Sequence, residues 1–151
     1  MRTRTLLLCT ALCILTTGFS LAQTLTAHVI ALSGKVETQN GTEWVALKVG
    51  DVVQKGTVIS TGFKSEAVLK IQNSNVKLGP LTRMTVEQLA SNANKEQSQI
   101  FIDCGKVSAT VQHAQDKRTD FKVRSPVATA SVRGTEFTMF ADGTIRTRSE
   151  E

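Results

Sequence analysis

From residue 23 onward, apolar and polar positions alternate in short runs, and glycine, proline or asparagine closes nearly every run. A period of two is the spacing of a β-strand, whose successive side chains point to opposite faces. Residues 25–32 form a first extended run, closed by Ser33-Gly34. Residues 35–38 and 44–47 flank Gln39-Asn40-Gly41-Thr42. There Asn40-Gly41 predicts a hairpin turn, because both residues tolerate φ > 0. Gly50-Asp51 and Lys55-Gly56 bracket short strands around Val52-Val53 and Val58-Ile59. Ala67, Leu69 and Ile71 alternate inward, Asn73-Ser74-Asn75 predicts a turn, and Val76 and Leu78 resume the pattern. Gly79-Pro80 is a corner, after which Met84 and Val86 begin another strand.

Residues 89–99 (L-A-S-N-A-N-K-E-Q-S-Q) hold neither a strand nor a helix period and read as a loop or the tip of a long hairpin. Ile100 and Ile102, then Val107, Ala109 and Val111, define two strands around Asp103-Cys104-Gly105-Lys106, and residues 113–120 are a charged turn. Residues 123–137, V-R-S-P-V-A-T-A-S-V-R-G-T-E-F, read as strand, corner, strand, corner, strand. Ser125-Pro126 makes the first corner, since proline fixes φ and lacks an N–H. The second strand carries small side chains on both faces, which predicts close packing on each side. Gly134 permits the next corner, Phe137 and Met139 resume an apolar face, and Asp142-Gly143 predicts a last hairpin. No stretch beyond residue 22 carries a helical stripe, so the expectation is an all-β domain of short strands.

The run S-P-V-A-T-A-S-V-R-G-T-E-F resembles the signature of the FecR domain family, a Ser/Thr-Pro, small-residue, Val-Arg-Gly-Thr-x-Phe run. The residues that carry it are Ser125, Pro126, Val132, Arg133, Gly134, Thr135 and Phe137. A second stretch, W-V-A-L-K-V-G-D-V-V-Q-K-G-T-V-I-S-T-G, is similar to the family's Trp-x-x-Leu, Gly-Asp, x-Gly, Ile-x-Thr succession. The resemblance spans residues 31–145 and implies strands coiled into a β-solenoid-like or rolled stack, where period alone leaves a β-sandwich equally open. It also implies a non-enzymatic protein-interaction module of the bacterial envelope. Its expected partner is the periplasmic signalling domain of an outer-membrane transporter, or a membrane regulator. Three departures stand out. Ser74-Asn75 replaces the family's Asp-Gly, a leader replaces the cytoplasmic tail and membrane span of the sigma-factor regulators, and the usual Val-x-x-Gly-x-Val strand after the final hairpin is missing. The last strand is therefore expected to be a sheet edge.

Composition matters most at the N-terminus. Arg2 and Arg4 precede a short apolar run, residues 6–15, and Ser20-Leu21-Ala22 supplies small residues for cleavage before Gln23. Residues 1–22 thus read as a signal peptide, residues 23–151 as a single domain, and the periplasm as its destination. The apolar run is short for a membrane span, and none is expected after cleavage. Losing Arg2 and Arg4 lowers the formal net charge of +5 by two. With scattered charge, one Trp and no Tyr, nucleic-acid binding has no footprint.

Cleavage also removes Cys9 and Cys13, leaving Cys104 alone, at the end of an alternating run where burial is expected. Cys104 could pair with His113 or His28 as a nucleophile and base, the basis of a hydrolase or transpeptidase reading. Asp103 next to the thiol works against a thiolate. Two histidines and one cysteine show no metal-ligand spacing, so neither metal nor cofactor is expected. Glu43, Glu66, Glu87 and Asp103 are dispersed acids with no pairing visible in the sequence. Arg133 is expected to be a buried clamp, bonding through Glu136 or Asp142. Lys106, Lys117, Arg118, Lys122 and Arg124 are candidates for a basic rim. A carbohydrate- or cell-wall-binding module is the alternative to protein binding, disfavoured by the scarcity of aromatic residues for sugar stacking.

Overall fold

The computed structural model describes residues 25–92, 94–112 and 117–148. The expected signal peptide and His113 lie outside them. Among the described residues there are fourteen strands and no helix. They are β1 (Ala27–Ser33), β2 (Val36–Asn40), β3 (Glu43–Ala46), β4 (Val52–Val53), β5 (Val58–Thr61), β6 (Glu66–Ile71) and β7 (Ser74–Leu78). Then follow β8 (Arg83–Ser91), β9 (Lys95–Cys104), β10 (Lys106–Val111), β11 (Arg118–Arg124), β12 (Thr129–Val132), β13 (Glu136–Phe140) and β14 (Ile145–Arg148).

These strands make two seven-stranded sheets, ordered β14-β13-β10-β7-β6-β1-β4 and β12-β11-β9-β8-β5-β2-β3. Along the chain, one or two strands are laid in one sheet before the chain crosses to the other. Both sheets grow from the β4/β3 end toward the β14/β12 end. The result is an all-β, sandwich-like arrangement without a closed barrel, wound as a coil. One apolar cluster fills the space between the sheets, and it includes Val29, Leu69, Leu78, Val107 and Met139 from one sheet and Ile59, Met84, Ile100, Ile102 and Phe121 from the other. Phe121 meets Phe137 across the sandwich edge-to-face, with ring centroids 6.4 Å apart.

The burial alternation of β5, β6, β9 and β13 follows the period of two in the sequence. Residues 89–99 complete a long hairpin instead of a loop. β8 and β9 pair out to Ser91 and Glu96, where Asn92 Oδ1 accepts from the Lys95 N–H at 2.7 Å. Two expected turns move by a residue. Asn40 pairs with Glu43, so Gly41-Thr42 forms the first tip, with Gly41 at φ +62°. Positive φ at the first central position alone is the type II′ pattern. Ile71 pairs with Ser74, so Gln72-Asn73 is the second tip; this register sets Val76 opposite Leu69 and Leu78 opposite Ala67 in the core.

Bulges explain the apolar residues that the period misplaces. Between Val29 and Ala31 the pairing of β1 with β6 skips Ile30, which is 45% exposed, and Leu32 then packs against the core in place of Ala31. A second irregularity, between Val86 and Gln88, leaves Glu87 unpaired on β8. A third, between Arg83 and Met84, ends the alternation of β9 and leaves Cys104 exposed, not buried as expected.

Candidate functional site

The 123–137 stretch folds as its sequence reads, as β11, corner, β12, bend and β13. Ser125 is buried and makes the corner. Its N–H donates to the Ala128 carbonyl at 2.8 Å, and its Oγ accepts from the Ala128 N–H at 3.2 Å. Pro126 is exposed. β12 is the outermost strand of its sheet, and like the other strands it packs only the face turned toward the opposite sheet. Ala130 is buried and Val132 half-buried, while Thr129 and Ser131 are exposed, which corrects the expectation of close packing on both faces. Gly134 takes φ +71° in the bend, and the exposed Thr135 accepts from the Val111 N–H at 3.2 Å through its carbonyl. Phe137 is fully in the core.

Arg133 is exposed and forms no hydrogen bond or ion pair among the described residues. The clamp through Glu136 or Asp142 is therefore absent. The reason is topological: beyond an outermost strand there is no neighbouring turn to clamp. The seven signature residues do not converge. Ser125 and Pro126 sit at one end of β12, Arg133, Gly134 and Thr135 at the other, and Phe137 between the sheets.

The other candidates disperse as well. β9 and β10 lie in different sheets, so Asp103 to Lys106 is a crossing and not a hairpin. Glu66 pairs with Lys77 at 2.8 Å and Asp103 with Arg83 at 3.8 Å. The bulged Glu87 accepts from Arg124 Nη1 through both oxygens at 3.1 Å and from Gln99 Nε2 at 2.6 Å. The basic rim is largely engaged. Arg124 is held by Glu87, Lys122 faces Asp120, Lys117 donates to Ser91 Oγ at 3.2 Å, and Lys106 belongs to the opposite sheet. Among the described residues no group of three His, Cys, Asp or Glu side chains could hold a metal ion.

Sequence reasoning missed Asp120, the most engaged carboxylate. It is buried on β11, with Lys95 at 3.0 Å and Lys122 at 3.9 Å from Oδ2, and Ser131 Oγ donating to Oδ1 at 3.2 Å. Burial pushes its pKa upward, but the Lys95 ammonium, the Ser131 hydroxyl and the Lys122 charge outweigh that and hold it below the usual carboxylate value. A depressed folded pKa stabilises the fold above the unfolded value of 3.8, and that contribution disappears as pH falls through the folded value. We expect Asp120→Asn to be less stable than wild type at neutral pH and to lose less on acidification, as read by thermal melting from about pH 6 to pH 2. Parallel melting curves at every pH would remove Asp120 from the acid limb.

Two surface features remain. One is the outer side of β14, which pairs only with β13. Phe140 N–H donates to the Thr144 carbonyl at 2.9 Å, which makes this a hydrogen-bonded position of the ladder. Alternation along an antiparallel ladder then turns the N–H and C=O of Ile145 and Thr147 outward. A groove of about 630 Å³ lies beside this edge, lined by residues that include Gly134, Thr135, Glu136, Thr147 and Arg148.

The other feature is a row of corners along one side of the sandwich, joined by backbone bonds. Gly62 N–H donates to Lys35 O at 2.8 Å, Leu81 N–H to Gly62 O at 3.2 Å, Gly79 N–H to Lys106 O at 3.0 Å, and Ala141 N–H to Gly105 O at 3.0 Å. Buried hydroxyls fasten the row. Ser65 Oγ accepts from Lys35 N–H at 2.8 Å, Thr61 Oγ1 donates to Gly79 O at 2.6 Å, and Thr82 Oγ1 accepts from Lys106 N–H at 3.1 Å.

Fold and surface together define an all-β module with an outward strand edge at β14 and a row of bonded corners along one side. The chain belongs to the FecR family: the family model described as FecR protein matches residues 57–149, more than half of the 151-residue chain. That family is one of non-enzymatic, envelope-associated signalling proteins. No curated protein matches the chain, and no solved structure does. No helix among the described residues is long and apolar enough to cross a membrane.

Proposed function

We propose that this protein is a non-enzymatic interaction module of the FecR type that works in the periplasm and relays or modulates an envelope signal. It accepts an extended segment of an envelope protein along β14. The partner is the periplasmic signalling domain of an outer-membrane transporter, or a membrane regulator. The observation that supports this reading is the free outer side of β14, where the backbone groups of Ile145 and Thr147 have no strand beside them among the described residues. Such a row of donors and acceptors is what β-augmentation uses. Arg133, exposed and without a partner at the neighbouring bend, is a second candidate contact.

The test is in-cell cross-linking and capture of the chain carrying an affinity tag after the expected leader. Capture of a transporter signalling domain or a membrane regulator supports the proposal. Thr147→Pro deletes an outward N–H while leaving the bonds to β13, because proline is tolerated where an edge strand faces solvent. It should therefore abolish capture with melting temperature nearly unchanged. Arg133→Ala should weaken capture. Undiminished capture by a folded Thr147→Pro protein would refute strand addition at β14, and recovery of peptidoglycan fragments alone would favour the cell-wall reading.

A further inference from the structure

The corner row displays apolar side chains at its tips. Phe63 is 74% exposed and Leu81 56% exposed, and the Leu81 N–H bond to Gly62 places the two tips side by side. Val127, 70% exposed, stands at the far end of the row, next to Gly143.

The backbone at these tips is unusual. Seven glycines take positive φ, the choice that avoids a steric penalty. Only three other residues among those described do so: Lys64 (φ +52°), Gln72 (φ +51°) and Leu81 (φ +52°). Gln72 has a structural reason, since its side chain donates to Ala90 O at 3.1 Å and accepts from Ser98 Oγ at 3.1 Å. Lys64 stands at the third position of the turn that the Ser65 N–H closes on Gly62 O at 3.3 Å, and Leu81 follows Pro80 in the next corner, positions that glycine would fill without steric cost. Each is held in a conformation that costs free energy while its side chain projects to solvent, the kind of outlier that points to function.

Charge completes the picture. Lys64 Nζ lies 5.8 Å from the centroid of the Phe63 ring, and the Lys106 stem packs over Gly79 beside the Leu81 corner. Of the acids on the row, Asp103 faces Arg83, while Asp142, which accepts from the Thr144 N–H at 2.8 Å, keeps its charge at the far end, away from Phe63 and Leu81. Exposed apolar tips flanked by lysines that pair with no carboxylate among the described residues, outside the groove at β14, suit a deformable anionic surface better than a shaped protein pocket. The geometry points to this row as a membrane-docking edge. Phe63 and Leu81 enter the headgroup boundary of an anionic lipid bilayer, while Lys64 and Lys106 meet its phosphates. This inference does not depend on strand addition at β14.

The test is co-sedimentation of the protein recovered after export with vesicles of phosphatidylglycerol and phosphatidylethanolamine, beside vesicles of phosphatidylcholine. Binding is expected to the anionic vesicles only and to weaken as salt rises. Phe63→Ser and Leu81→Ser should each lower partitioning about tenfold, and Lys64→Glu should lower it too. Val52→Ser, which removes an exposed apolar side chain on the edge strand β4 opposite His28, toward the other end of β1 from the corner row, should leave it unchanged. An environment-sensitive fluorophore on the exposed Cys104, next to the Leu81 corner, should report a less polar setting on anionic vesicles. Failure to sediment with anionic vesicles overturns the inference. So does equal sedimentation of the Phe63→Ser/Leu81→Ser double variant, or equal binding to phosphatidylcholine. Melting curves of the variants exclude unfolding as the cause of any loss.

Discussion

Phe121→Ala should destabilise the protein by about 3–5 kcal/mol, enough to remove much of the stability of a domain this size. The ring is fully buried on β11 and meets Phe137 of β13 across the two sheets. Truncation leaves a cavity that neither sheet can close without disturbing its own ladder, so the cavity term adds to the lost transfer energy. Denaturant unfolding should show a lower midpoint with an unchanged slope. Phe140→Ala, which loses a half-buried ring stacked under Arg146, should cost much less. If the two variants unfolded alike, the contact between Phe121 and Phe137 would not be what joins the sheets at this end.

Gly105→Ala should be nearly as damaging, at about 2–4 kcal/mol. Gly105 takes φ +85°, and an added Cβ would collide with Thr82 Oγ1 and sit 2.6 Å from the Leu81 carbonyl oxygen. The new methyl would wedge apart the corner that Thr82 fastens to Lys106. Gly50 makes the matched control, because it takes φ +93° with nothing within 4 Å of the added Cβ. Gly50→Ala should therefore cost only the backbone term, about 1 kcal/mol. The difference between the two melting temperatures measures how tightly the corner row is stacked. Equal losses would show that φ alone matters and that the corners do not bear on one another.

What was legible beforehand follows from range. The alternation of Ala67, Leu69 and Ile71, or of Ile100 and Ile102, needs only local geometry plus one buried face, and these strands formed where the pattern put them. Asp142-Gly143 and Gly79-Pro80 turned the chain because turn chemistry is equally local. The tips at Gly41-Thr42 and Gln72-Asn73 shifted by a residue because cross-strand register, set by what lies opposite in the core, overrode turn propensity. Cys104 was misplaced for the same class of reason: a bulge depends on the partner strand, and no period within β9 reveals it. Arg133 depended on something still less local, the position of β12 at the margin of its sheet, where no neighbour can bury a guanidinium.

By itself the sequence determined the class of fold, the placing of most strands and corners, and the family to which the chain belongs. Those properties are written in periods of two, in turn residues and in one long motif, all read within a few neighbouring positions. The tertiary structure alone decided how the strands divide between two sheets, that Asp120 is the engaged carboxylate, and that Phe63 and Leu81 stand side by side. Each of these depends on contacts between residues far apart in the chain, and such contacts become defined only when both sheets close on their shared core.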